Sequence, residues 1–221
     1  MRVVVLLGPP GAGKGTQAQR LAGRLGLDHV ATGDLFRAAV REGTPLGAEV
    51  QGYMARGELV PDDLTVRVLK ARLDTVDAAG GVLLDGFPRT AAQAAALDEA
   101  LAERGSRVDV APLIEVPGDE LVERLGGRWT CRAAGHVYHE TANPPRVSGV
   151  CDLDGSELYQ RLDDQPATIR ARLEQQLGAL AEVVEHYRRG GVLAPVDGSQ
   201  SIDAVTTALL AVLGPIGSRR A

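Results

Sequence analysis

Aromatic residues are scarce in this 221-residue chain, at 3%, so its core must be built mostly from leucine, valine and alanine. Cysteine is nearly absent: Cys131 and Cys151 are the only two, a usage that fits a reducing compartment. No apolar run approaches the ~20 residues needed to span a bilayer. The N-terminus reads as a core strand, without the long apolar region and cleavage site of a signal peptide. These two absences point to a cytoplasmic protein with no membrane partner. Positive charge is not in excess. The chain has 24 Lys and Arg against 29 Asp and Glu, a net −5 with a pI near 5.4, which argues against non-specific nucleic-acid binding. No internal repeat or disordered linker interrupts it. What remains is an ordinary globular composition, 44% hydrophobic and 24% charged, long enough for one domain with insertions and a proper core.

The richest stretch is Gly8 to Thr16, GPPGAGKGT, which follows the apolar run Val3-Val4-Val5-Leu6-Leu7 and precedes a helical pattern from about Gln17. A buried strand, a glycine-rich turn and a helix start make a phosphate cradle. Glycines let the backbone point its N–H groups inward, the helix N-terminus adds partial positive charge, and Lys14 supplies a full one. Gly8, Gly13 and Lys14 fit G-x-x-x-x-G-K, with Gly15 next and the hydroxyl one later, at Thr16.

Strand-like runs recur at 2–7, 28–31, 82–85, 110–116 and 192–196, with helical patterns between them, so the fold class is α/β with a parallel sheet covered on both faces. Residues 34–75 read as helical, broken at Gly43-Thr44-Pro45 and from Gly57 to Pro61. Residues 127–164 hold both cysteines, Pro144-Pro145 and short alternating runs such as His136-Val137-Tyr138-His139, and read as a small β-rich excursion. A long helix runs from Gln165 to about Arg189, a last strand and a helix from Ile202 close the domain, and the tail from Gly217 to Ala221 reads as frayed.

Four further clusters carry chemistry. In VLLDGFPRT, residues 82–90, Asp85 ends a buried strand beside the loop, where Mg²⁺ or its bound water is held. Arg89 follows at a βα junction on the sheet edge that binds ligands in open α/β folds. In ATGDLFR, residues 31–37, Thr32 and Asp34 suit a helix start and Arg37 sits one turn in, over the same edge. Arg124, Arg128, Arg161, Arg170 and Arg172 surround the excursion, and arginine makes bidentate contacts to phosphate. Asp163-Asp164 can hold them in position. The cysteines form two C-x₂ knuckles, Cys131 with Ala134 and Cys151 with Asp154. Two readings stay open: a structural zinc completed by His136 in place of the missing ligand, or a metal-free excursion whose cysteines pack or hydrogen-bond. No Ser-His-Asp set is evident.

GPPGAGKGTQA, ATGDLFR, LLDGFPRT and the ordered segment GRW…VYH…NPP…GVCD…ELYQRLDDQ…IRARL resemble the adenylate kinase family in its long-lid form, over Met1 to about Leu213. The resemblance implies a P-loop core of five parallel strands flanked by helices (1–30, 61–126, 165–221), a helical insertion binding the nucleoside monophosphate (31–60) and a β-rich lid (127–164). It implies the reaction ATP + AMP = 2 ADP with Mg²⁺, in a monomer whose partners are ATP, AMP and ADP. Gly11, Ala12, Gly13, Lys14, Gly15 and Thr16 would hold the ATP phosphates, with Arg124, Arg128, Val137, Tyr138 and Gln200 also on ATP. Thr32, Arg37, Glu58, Leu59, Val60, Gly86, Phe87, Pro88, Arg89 and Gln93 would bind AMP, with Arg161 and Arg172 clamping AMP and the transferring phosphate. Lys14, Arg89, Arg128, Arg161, Arg172 and Asp85 would carry catalysis, Asp85 through the magnesium hydration shell.

Two departures from the family pattern stand out. Trp129 replaces a common arginine, either stacking on a base or packing at the hinge, and Ala134 replaces a usual zinc cysteine. The rival readings are another nucleoside monophosphate kinase, against which the long lid with its NPP and RLDD segments argues, and a nucleotide-binding protein without transfer activity. The second rival should lack one of Arg37, Arg89, Arg128, Arg161 or Arg172, and all five are present.

Overall fold

The computed structural model describes residues 1–76 and 80–214; the tail expected to fray lies outside them. Five parallel strands form the centre: β1 (Val3–Leu6), β2 (Asp28–Ala31), β3 (Val82–Asp85), β4 (Ala111–Glu115) and β8 (Leu193–Asp197). They come as two hydrogen-bonded pieces, β2-β3-β1 and β4-β8. The pieces touch through bridges at Val4–Val110 and Leu7–Leu113 and through Leu7 N–H donating to Pro112 O at 2.8 Å. In a parallel ladder the residue between those bridges that should donate back to Val5 is Pro112, which has no N–H. The continuous sheet expected from the sequence is therefore interrupted at one proline.

β1 is wholly buried, with every residue at 1% exposure or less, because helices cover both faces of the sheet. Val3, Val5, Val82 and Leu84 point into one core with Leu97, Leu101, Val183 and Tyr187. Val4, Leu6 and Leu83 point into the other with Leu21, Ile114, Leu125 and Leu209. These side chains are mostly Leu, Val and Ala, as the shortage of aromatics requires.

Helix α1 (Lys14–Leu25) begins at Lys14 rather than near Gln17, so the end of the phosphate loop is already its first turn. Gly13 caps it with φ 86°, a left-handed conformation that other residues adopt at a cost. The insertion after β2 is α2 (Thr32–Arg41), α3 (Pro45–Arg56) and the start of α4 (Asp62–Leu73), with breaks at both expected places. Thr44 caps α3, its hydroxyl accepting from Gly47 N–H at 3.1 Å ahead of Pro45. Phe36, Val50, Val60 and Leu64 give this insertion its own small core. Thr32 does not cap α2. Ala31 occupies the cap without a side-chain bond, and the Thr32 hydroxyl crosses to Gly86 O at 3.0 Å.

Helices α5 (Ala91–Ala102) and α6 (Gly118–Gly126) flank β4 in sequence. The excursion is a three-stranded antiparallel sheet, β5 (Arg128–Cys131), β6 (Val137–His139) and β7 (Leu158–Tyr159), in the order β6-β5-β7. Its core is only Cys131, Tyr138, Cys151 and Leu158, with Trp129 leaning on them. Helix α7 (Pro166–Arg189) then crosses the whole core, and α8 (Ile202–Leu213) closes it.

Candidate active site

The C-terminal ends of β1, β2 and β3 open onto a cavity of about 680 Å³, within the range of small-molecule sites. The loop residues Gly11 to Thr16 form one wall, and Arg37, Asp85, Gly86, Arg89, Arg124, Arg128, Val137, Tyr138, Arg161, Arg172 and Gln200 complete it. They come from several junctions of the fold. The strand ends supply Asp85 and Arg89, the first turns of α2 supply Arg37, the excursion supplies Arg128 and Arg161, and α7 supplies Arg172.

Lys14 Nζ donates to Gly8 O at 2.7 Å and to Pro9 O at 2.9 Å, so the ammonium is folded back onto its own loop. Desolvation pushes its pKa down to about 7, with Asp85 opposing and Arg89, Arg172 and Arg128 adding to the drop. Burial likewise pushes Arg89 to about 10 and Arg161 to about 9, helped by neighbouring arginines. Burial opposes the Asp85 carboxylate, but His29, Lys14 and Arg89 outweigh it and hold its pKa below the ordinary value. His29 Nε2 faces Asp85 Oδ2 at 3.4 Å. A Cβ on Gly15 would sit 3.5 Å from that same carboxylate oxygen, so the glycine leaves Asp85 an open view of the loop.

Asp164 is the anion that organises the arginines. Its side chain is fully buried and accepts from Arg128 Nε at 2.7 Å, from Arg128 Nη2, and from Arg172 Nη1 at 3.1 Å. Asp163 pairs with Arg172 Nη1 at 2.8 Å. Arg161 Nε donates to Thr130 Oγ1 at 3.0 Å, and Arg37 pairs with Asp34. Positive charge still predominates, and it adds to the burial that lowers the guanidinium pKa values of Arg89, Arg161 and Arg172. The arrangement suits two bound polyphosphates, which would restore neutrality.

Several expected residues lie off this wall. Thr32, Phe87 and Gln93 are buried, as is Val60. Glu58 is held by Arg56 through two hydrogen bonds at 2.8 and 2.7 Å, and Leu59 lies beside it. Pro88 lines a smaller neighbouring cavity with Gly86, Arg89 and Gln176. Arg170 is exposed on α7, out of phase with Arg172, and takes no part. Trp129 is not among the residues lining the cavity; it packs in the excursion, with its indole N–H on Glu140 at 3.1 Å. Tyr138 reaches the cavity wall, yet its hydroxyl lies 3.4 Å from Cys151 Sγ and accepts from Asp152 N–H.

The sequence reading missed His29, His139 and Asn143, which line the cavity, and Asp62, which fixes Gln93 Nε2 at 2.7 Å. It also missed Gln176, although that residue left a signal. Ile169, Arg172, Leu173 and Gln176 recur at i, i+3, i+4 and i+7 on the buried face of α7, and a glutamine there needs partners.

The family model for adenylate kinase matches residues 6–192. This chain belongs to the adenylate kinase family. Proteins named adenylate kinase are similar to it over nearly their full length. That of Moorella thermoacetica is 51% identical, covering 96% of this chain and 97% of its own. That of Carboxydothermus hydrogenoformans is 48% identical over 91% and 94%. That of Staphylococcus epidermidis is 46% identical over 95% and 98%. An adenylate kinase is a phosphotransferase acting on nucleoside monophosphates, and the α/β core with its phosphate loop is the fold such a kinase requires. Among the described residues no helix is long and apolar enough to cross a membrane.

The excursion of this chain holds a second cluster. Cys131 Sγ, His136 Nδ1, Cys151 Sγ and an Asp154 carboxylate oxygen all lie within 4.8 Å of one another. Specific separations are 3.1 Å for Cys131–Asp154, 3.3 Å for His136–Cys151 and 3.4 Å for His136–Asp154. A tetrahedral zinc with these ligand types spaces them roughly 3.3–3.8 Å apart; the two His136 separations reach that range and Cys131–Asp154 falls slightly under it, so the donor types suit that metal with a small expansion of the cluster. Two matching turns present the sulfurs: Gly135 N–H returns to Cys131 O and Gly155 N–H to Cys151 O. Ala134 lacks a ligand atom, but its N–H still donates to Cys131 Sγ at 3.3 Å. Burial disfavours the Cys131 thiolate, and hydrogen bonds from Ser156 and Ala134 outweigh it to lower the pKa.

Proposed function

We propose that this adenylate kinase moves the γ-phosphoryl group of Mg·ATP to AMP at the cavity where Lys14, Arg37, Arg89, Arg128, Arg161 and Arg172 converge. That convergence on the strand ends is the observation that carries the reading. Gly11 to Thr16 take the donor phosphates on their N–H groups, and Lys14 leaves Gly8 and Pro9 to neutralise the β- and γ-oxygens. Arg124, Val137, Tyr138 and Gln200 enclose the rest of the donor. Arg37 and Arg89 hold the acceptor phosphate, and Thr32, Gly86, Phe87, Pro88, Gln93 and the Glu58–Val60 segment shape its surroundings. Arg128, Arg161 and Arg172 neutralise the group in transit. Asp85 would hold the hydration shell of a magnesium ion, which would supply charge neutralisation to the phosphates. The AMP phosphate is already anionic, so no general base is required. Catalysis is positioning and electrostatic stabilisation, and the excursion serves as a lid that keeps water from the γ-phosphate. ADP formation from ATP and AMP, followed in a coupled assay, tests the whole reading; no ADP sinks it. Family membership supports a cytoplasmic monomer.

The Lys14 pKa gives a pH prediction. In the free protein it lies at about 7; beside donor phosphates it rises, because a cation is favoured there. Between the two values binding takes up a proton, so ATP affinity falls as pH is raised above about 7. Calorimetric titration at pH 8 in two buffers of different ionisation enthalpy measures the uptake. A heat independent of buffer excludes it.

We further propose a structural zinc in the lid, held by Cys131, His136, Cys151 and Asp154. The lid core is two cysteines, a tyrosine and a leucine, too little apolar burial to order it alone. Protein purified without added metal should carry about one zinc per chain. Chelation should lower the melting temperature and red-shift the emission of Trp129, the sole tryptophan, which leans on the cluster. A metal content near zero with melting unchanged by chelator ends the idea.

A further inference from the structure

We propose that Gln176 is a positioning residue that couples the acceptor-phosphate arginine to the acceptor-binding insertion. It sits on the buried face of α7 at 8% exposure, and its amide faces two ways. Oε1 accepts from Arg89 Nη1 at 3.2 Å, and Nε2 donates to Gly57 O at 3.0 Å. The amide orientation is dictated by its neighbours. A guanidinium needs an acceptor and a carbonyl needs a donor, so a flipped amide would set two acceptors and two donors against each other.

Gly57 ends α3 with φ 70°, and a Cβ there would lie 3.0 Å from Thr168 Cγ2 and 3.1 Å from Arg172 Cβ. The turn that closes the insertion therefore rests directly on α7, and Gln176 supplies a polar contact at that seam. Glu58, Leu59 and Val60, the expected acceptor wall, follow immediately. On the other side Arg89 Nε is occupied by Gly86 O at 2.8 Å. With Nη1 on Gln176, the guanidinium is fixed by two anchors and its remaining N–H groups are left for phosphate. One amide thus sets both the aim of the arginine and the position of the wall. Gln176 does not line the large cavity; it acts through Arg89 and Gly57. The inference rests on the acceptor reading of Arg89 and of residues 58–60.

The test is steady-state kinetics of Gln176→Leu, Gln176→Glu and Arg89→Ala, each with AMP and ATP varied separately. Q176L removes both contacts at similar volume. Q176E keeps an acceptor for Arg89 but turns an oxygen against Gly57 O. Both should raise the KM for AMP about tenfold or more, the scale of a lost hydrogen bond to a charged group, and leave the KM for ATP within about twofold. A merely structural role would move both constants together. An unchanged AMP constant in either variant, or a parallel rise in the ATP constant, overturns the coupling. If Q176L does not fold, Q176E decides alone. Arg89→Ala separates the layers. A raised AMP constant there beside normal Gln176 variants discards the coupling and keeps the acceptor reading. An unchanged one discards the acceptor reading itself.

Discussion

Lys14→Ala should lower kcat by roughly 10²–10³, the loss seen when one preorganised donor is removed from developing charge. The argument rests on where the ammonium sits and on what surrounds it. It lies at the start of α1, folded onto Gly8 O and Pro9 O, contacts that any polyphosphate in the loop would replace. It is desolvated enough for its pKa to drop to about 7, so a phosphate oxygen there meets little competing water. Each neighbouring guanidinium is already pinned by a partner: Arg89 by Gly86 and Gln176, Arg128 by Asp164, Arg161 by Thr130. None can swing in to replace the lost charge. The fold should be little affected: the lysine bonds only its own loop, and removing it gives up the attraction of Asp85 while relieving its burial and its repulsion from Arg89, Arg172 and Arg128. Lys14→Arg should not rescue turnover, since a planar fork cannot retrace the path of a compact ammonium. Near-normal turnover of Lys14→Ala in a coupled assay, with unchanged melting, would remove the loop from the chemistry.

What the sequence made legible is what local chemistry determines. Val3 to Leu7 announce a doubly covered strand, and the glycines, lysine and hydroxyl that follow announce a phosphate loop. The breaks at Gly43-Thr44-Pro45 and from Gly57 to Pro61 fall between α2, α3 and α4 as expected, because proline and left-handed glycine act on their own neighbours. The interrupted sheet was harder to see. Pro112 sits in an apolar run that otherwise reads as strand, and its missing donor matters only once β1 is known to lie beside it. His136 illustrates the same limit. The missing ligand at Ala134 is visible in the sequence, but whether a histidine two residues later reaches Cys151 depends on the turn at Gly135. Arg170 and Arg172 look alike in sequence and differ by the helical phase that exposes one and buries the other. Gln176 is least legible of all, because its two partners lie 87 and 119 residues away.

Asp164→Ala should be the most destabilising single change at this site, lowering the stability of the nucleotide-free protein by about 3–5 kcal/mol, the usual cost of removing one partner from a buried ion pair. Arg128 and Arg172 have side-chain exposures of 17% and 8%, against 0% for Asp164. Without its carboxylate Arg128 loses its bidentate partner, and Arg172 keeps only Asp163. At about 2–4 °C per kcal/mol for a chain of this size, the melting temperature should fall by at least several degrees. Asp164→Asn keeps the shape and one acceptor and should fall by less. The decisive comparison adds nucleotide. Bound phosphates present negative charge to the same guanidinium groups, so saturating ATP and AMP should stabilise Asp164→Ala more than the parent and narrow the gap between them. A gap that stays constant would mean that Asp164 serves the fold alone. A gap that closes would mean that this aspartate occupies, in the empty site, the electrostatic place of the phosphates, and that part of the affinity for nucleotide comes from arginines held ready by an anion that shares them.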